Sequence, residues 1–181
     1  METIMSMAEI PEVIDKSQLR DALCSTWMRH DAMWFYHCSN EIGMELTNKI
    51  NRAAVRDMAL YEAKRLKKML GYPDKNPQTY EELRTLLTQM FGMISAPFMK
   101  GSLIFLPEEN KVRMTWQSCF AHLGITRMGV IGSYECGIFE RIDSWLNALE
   151  VKWSVSPQVT RCMMHTDGEC YRDYTLCFDN P

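Results

Sequence analysis

Residues 102–118 read SLIFLPEENKVRMTWQS, and the period of this stretch separates the two halves of the chain. In KVRMTWQS, Val112, Met114 and Trp116 alternate with Arg113, Thr115 and Gln117. A period of two sends alternate side chains to opposite faces of a strand, so one face is apolar and the other polar. SLIFL before it and PEEN between them complete a hairpin with one buried face. Upstream, the spacing is helical instead. Asp15 followed by Gln18 makes a capping box, and Leu19, Leu23, Trp27, His30, Trp34 and Cys38 recur at helical intervals. That pattern predicts one helix over about residues 16–40. Gly43 breaks it, and a second helix from Glu45 to Leu70 carries Ile50, Val55, Met58, Ala59, Leu66 and Met69 before Gly71 and Pro73. Thr79 and Glu82 open a third ahead of Leu83, Leu86, Leu87, Met90 and Phe91, with Gly92 and Pro97 closing it.

Beyond the hairpin, FAHLGITRMGVIGSYEC (120–136) holds too many glycines for a long helix and reads as a short helix or loop. GIFERIDSWLNAL (137–149) is helical, with Ile138, Ile142, Trp145, Leu146 and Leu149 on one stripe. VKWSVS (151–156) and CYRDYTLCF (170–178) are strands, the second alternating Arg172, Tyr174, Leu176 and Phe178 against Tyr171, Asp173, Thr175 and Cys177. The expectation is a single α+β domain over 1–181, helical over about 15–95 and sheet-containing over about 100–180. Its N-terminal helices pack on one face of an antiparallel sheet of about four strands.

With 181 residues and 46% hydrophobic content, the chain is long enough to bury a substantial core. A net charge of −3 and a pI near 5.8 lack the basic excess of a phosphate-backbone binder, so no nucleic-acid partner is expected. The leader up to Pro11 has none of the marks of a signal peptide, and no window approaches ~18 uninterrupted apolar residues. A cytoplasmic protein without a membrane partner is expected, its partner being a small-molecule ligand; a homo-oligomer is compatible with the composition. Lys64, Arg65, Lys67 and Lys68 crowd one helix end and read as a solvated turn complementing the macrodipole.

The segment RHDAMWF (29–35) joins a carboxylate to aromatic residues. Asp31 follows Trp27 by four and precedes Trp34 by three, so it lies along the apolar stripe with His30 beside it. An acid buried among tryptophans must find donors or a cation. Asp31 and His30 are therefore candidate catalytic residues, and Trp27 and Trp34 the walls of a substrate pocket. A structural carboxylate satisfied by a neighbouring loop explains the pattern equally well. The fifteen methionines, Met90, Met93 and Met99 among them, fill a core or line an adaptable apolar pocket.

The run from Arg29 to Gly71, with its His-Asp-x-x-Trp-Phe motif ahead of an arginine- and lysine-rich helix, resembles the opening block of an uncharacterised family of bacterial and archaeal cytosolic proteins. The resemblance continues in the cysteines. The family pattern of a cysteine ending a strand, another about seventeen residues on, a Cys-x-x-Cys and a last cysteine entering the final strand falls on Cys119, Cys136, Cys162 and Cys170. In CMMH (162–165), His165 stands where the family has its second Cys-x-x-Cys cysteine. The same C-terminal pattern is distantly similar to proteins named for L-2-amino-thiazoline-4-carboxylic acid hydrolase, which implies a hydrolase acting on a small C–N bonded substrate.

Seven cysteines are an odd number for a disulfide framework, and a chain of this size does not depend on one. Three readings stand side by side. Cys119, Cys136, Cys162, Cys170 and His165 hold a metal, zinc before an iron–sulfur cluster, because imidazole replaces thiolate readily on zinc. Alternatively the thiols are buried as small hydrophobes, or one is a reactive redox thiol. Cys24, Cys38 and Cys177 read as structural. Two function classes follow: a small metal-assisted hydrolase in which Asp31 or His30 manages protons, and a non-catalytic small-ligand binding or sensing module, with a thiol redox protein as a further alternative. Glycine-rich phosphate loops, Gly-x-Ser-x-Gly elbows and paired His-x-x-x-His helices do not occur in the sequence.

Overall fold

A computed structural model describes residues 12–178, so the leader ending at Pro11 lies outside the described residues. The architecture is α+β, with long N-terminal helices and a four-stranded antiparallel sheet. Helix α1 (Lys16–Met69) opens on the expected capping box: the Asp15 carboxylate accepts from the Ser17 and Gln18 backbone N–H groups, and the Gln18 side chain accepts from the Asp15 N–H. At Gly43 the backbone leaves the helix with φ 77° and ψ 165°, which divides α1 into segments 16–42 and 44–69.

That conformation is open almost solely to glycine. A methyl group at Gly43 would meet nothing within 4 Å, so the restriction lies in the backbone and not in packing. Gly43→Ala is expected to lower stability by about 1–3 kcal/mol, measured by chemical denaturation, with strain as its only source.

Helix α2 (Tyr80–Ile94) is capped by Thr79, which accepts from the Glu82 N–H, while the Glu82 side chain reaches back one residue further than a capping box, to the Gln78 N–H. It runs through Gly92, expected as its stop, and ends at Ser95 before Pro97. Glycine within a last turn weakens a helix by only about 1 kcal/mol, so the residues beyond it can carry the helix on.

Strand β1 (Gly101–Leu106) pairs with β2 (Lys111–Trp116) as the expected hairpin, turned by a single 3₁₀ turn over Pro107–Glu109 and a left-handed Asn110. Helices α3 (Phe120–Arg127) and α4 (Ile138–Ala148), strand β3 (Lys152–Ser156), the one-turn α5 (Met163–Thr166) and strand β4 (Tyr171–Cys177) follow. The sheet order is β1-β2-β4-β3, so β4 inserts beside β2 and joins the hairpin to β3. Val112, Met114 and Trp116 face the helices with Arg172, Tyr174 and Leu176, all buried. The opposite face is polar, where Arg113 forms a two-pronged pair with Asp173 at 2.6 and 2.8 Å and lies over the Tyr171 ring.

Helix α4 binds the layers together. Phe139, Ile142, Trp145 and Leu146 are buried against α1, α2 and the sheet. Lys67, expected to be solvated, is instead buried and donates to Asn76. Among the described residues no helix is long and apolar enough to cross a membrane.

Candidate functional site: a helix-roofed cavity and a cluster of thiols

The first segment of α1 turns a different face to the protein from the one its largest residues suggest. Leu23 and Trp34 are each 62% exposed and His30 is exposed, whereas Cys24 and Phe35 are buried. The contact face is thus 24, 28, 31 and 35, rotated by about one residue from the stripe of leucine and tryptophans. Asp31 lies at the edge of that face: the residue as a whole is exposed, while one side of it lines the space beneath.

Between this face and the sheet lies a cavity of about 610 Å³. Leu103 and Phe105 of β1 and Met114 and Trp116 of β2 form its floor, and α2, α3 and α4 contribute Phe91, Ala121 and Ile138. Two glycines let its walls close up. A Cβ at Gly101 would lie 2.8 Å from the Trp116 indole Nε1, and one at Gly137 would lie 3.1 Å from Asn51 Nδ2.

Asp31 and Arg141 are the charged residues of the lining. Arg141 is already paired: it donates to both carboxylate oxygens of Glu62, at 2.8 and 2.5 Å, and its guanidinium stands 5.1 Å from the Trp27 ring centre. Trp145, fully buried, donates its Nε1–H to the same Glu62 at 3.0 Å. Asp31 makes no hydrogen bond or ion pair among the described residues. The surrounding protein desolvates its carboxyl and pushes the pKa up, with the charges of His30 and Arg141 pulling the other way.

Of the four residues expected at a pocket, Trp27 and Asp31 line the cavity, and His30 and Trp34 do not. Arg141 and Glu62 escaped the sequence reading. Arg141 carries the same signal as Asp31, a charge on an apolar stripe, three residues after Ile138 and four before Trp145. Glu62 is 79 residues away in the chain, and only the packing of α1 on α4 brings the two together.

The cysteines form a second constellation. Cys119, Cys162 and Cys170 are buried and Cys136 is half-buried. The four are near enough that each thiolate charge disfavours others: Cys170 is pushed up to about 12 by burial and then by Cys119, Cys136 and Cys162, and Cys136 to about 12 by burial, Cys119 and Cys162. Backbone amides of the turn that follows oppose the effect of burial at Cys119, Cys136 and Cys162, and the thiols stay shifted upward nonetheless. The His165 side chain is exposed on α5. Among the described residues no three His, Cys, Asp or Glu side chains are arranged to hold a metal ion. Cys177, expected to face a core, is exposed, because the last strand turns that row to solvent.

None of the seven cysteines lines the cavity, yet the residues beside them do: Phe120 and Ala121 follow Cys119, while Tyr134, Gly137 and Ile138 flank Cys136. The thiols thus sit behind the cavity wall. No curated protein and no solved structure matches the chain. Residues 12–99, just under half of the chain, match the model of a family of unknown function, DUF6125; the matched part supplies α1 and α2, with Trp27 and Asp31, and ends before the sheet and the four clustered cysteines.

Proposed function

We propose that this protein binds a small, largely apolar molecule in the cavity between its helices and sheet. One observation carries the reading: about 610 Å³ of half-open space, walled by apolar and aromatic side chains with a few polar groups, is of the size and character of ligand pockets, which run from about 300 to 1,000 Å³. The test is titration with a neutral environment-sensitive dye such as Nile red. Saturable binding at one site is expected, and Val55→Trp, which places an indole in the void, is expected to weaken it at least about tenfold with the fold retained by circular dichroism. Dye binding that is absent, or untouched by the tryptophan, overturns the reading.

In the hydrolase alternative Asp31 would handle protons with His30, but His30 faces away from the cavity, so binding is the better supported of the two.

The grouping of four thiols from separate segments favours a second element of function. We infer that Cys119, Cys136, Cys162 and Cys170 close on one zinc ion when it binds, because the four thiols are grouped behind the cavity wall although their side chains as they stand do not surround a metal position. A site closed by four protein ligands leaves no position for water, so its role is to fix the cavity wall. The seven free thiols suit a reducing cytosol. Protein purified without oxygen is expected to carry about one equivalent of zinc and to melt at a lower temperature after chelation. His165→Ala is expected to keep the metal, because that side chain is exposed, and Cys162→Ala to lose it. Metal-free protein with a melting temperature indifferent to chelator would sink the zinc assignment.

A further inference from the structure

The charges around the cavity do not balance, and the imbalance has a sign. Arg141 is held by both oxygens of Glu62, so its positive charge is matched within the protein. Asp31 has no such partner among the described residues, though it lines the same cavity. Counting the charged residues of the lining and their partner, Asp31, Arg141 and Glu62, one negative charge is left over, with His30 beside Asp31 on the outer side as the other titratable group that bears on it. Its surroundings are aromatic: Trp27, Phe35, Trp116, Phe120 and Tyr134 line the space, and ring faces attract cations. Trp27 already shows this behaviour by stacking under the Arg141 guanidinium at 5.1 Å.

We propose that the cavity selects hydrophobic amines, molecules with an apolar body and one protonated nitrogen, and that Asp31 accepts the ammonium hydrogen bond. This rests on the cavity being a ligand site, and it goes further by naming the class of ligand. Carboxylic acids fit less well, since the one guanidinium in the lining is engaged and Asp31 repels a second carboxylate. Neutral alcohols satisfy Asp31 only through an ordinary hydrogen bond. Neighbouring protein partly desolvates the exposed Asp31 and raises its pKa, and a cation placed beside the carboxyl offsets that penalty.

The experiment is displacement of bound Nile red by three probes of equal chain length, decylamine, decanol and decanoic acid, each below its aggregation concentration. Decylamine is expected to compete at concentrations about tenfold or more below decanol, the worth of one charge-assisted hydrogen bond, and decanoic acid to compete least well. In Asp31→Asn, which disturbs no bond of the fold, the advantage of amine over alcohol is expected to vanish. Equal competition by amine and alcohol overturns the proposal while leaving the cavity as a ligand site, as does an advantage that survives Asp31→Asn. Decanoic acid as the best competitor overturns it in favour of recognition through Arg141. If the dye itself does not bind, the ligand site falls and the amine selection falls with it.

Discussion

Asp143→Ala is expected to lower the stability of this protein by about 3–5 kcal/mol, the cost of stripping a buried charge of its partner. The charge is Arg172, whose side chain is 7% exposed and whose Nη1 donates to both Asp143 oxygens, at 3.1 and 3.0 Å. Tyr174 donates its hydroxyl to the same carboxylate at 2.8 Å, and both it and Phe139 lay their rings against the guanidinium. The arrangement has no slack, because Arg172 Nε is buried without a partner even with Asp143 in place. Removing the carboxylate leaves a cation and a hydroxyl unsatisfied between β4 and α4. In a domain of this length each kcal/mol moves the midpoint by about 2–4 °C, so a fall of about 6–20 °C is expected in thermal unfolding. The triple variant Asp143→Leu, Arg172→Met and Tyr174→Phe removes every polar member at once and is expected to melt near the parent, since apolar replacements of buried ion pairs are often neutral or stabilising. A single variant as stable as the parent would show that water reaches the guanidinium.

The alternation that reveals the final strand also places Arg172 in the same row as Tyr174 and Leu176, so a charge on the buried face is legible from the sequence. Its partner is not, because Asp143 reaches it only once α4 lies across the sheet. The same division runs through the rest of the molecule. Signals confined to one turn or one strand pair, such as Asp15 with Gln18, the break at Gly43 and the alternation in β2, translate directly into structure. Choosing between two neighbouring stripes of one helix requires knowing what lies opposite. Trp27 and Trp34 dominate any count of apolar area, yet the smaller Cys24 and Phe35 turn inward, because Ala96, Met99, Ile125 and Tyr134 offer them a surface of matching shape. The cavity is a property of that docking, which the sequence signalled through Asp31, Trp27 and Met99 without showing what lies opposite them. A family resemblance, and not spacing alone, put Cys119, Cys136, Cys162 and Cys170 into one group, and their mutual electrostatic influence shows that the fold brings them near one another.

Glu62→Ala is the second substitution of large expected effect, and it acts on stability and on ligand choice at once. The carboxylate serves two donors, Arg141 and the fully buried Trp145 indole, so its loss strands a part-buried cation and an N–H group with no access to water. About 2–4 kcal/mol of stability is expected to go, by denaturant titration, between the worth of an unpaired buried donor and that of a fully buried ion pair. The charge of the site changes with it. With Glu62 gone, Asp31 and Arg141 become each other's nearest opposite charges in the cavity lining, and the net negative charge disappears. Decylamine is then expected to lose its advantage over decanol, and decanoic acid to gain by pairing with the released guanidinium. Glu62→Gln separates the two effects, since its amide oxygen still accepts from Trp145 while the charge is lost. That variant should fold with a smaller penalty, about 1–2 kcal/mol, and show the same change of ligand preference as the alanine. A glutamine variant that still prefers the amine would mean that Arg141 never bears on the ligand, and that Asp31 alone sets the preference.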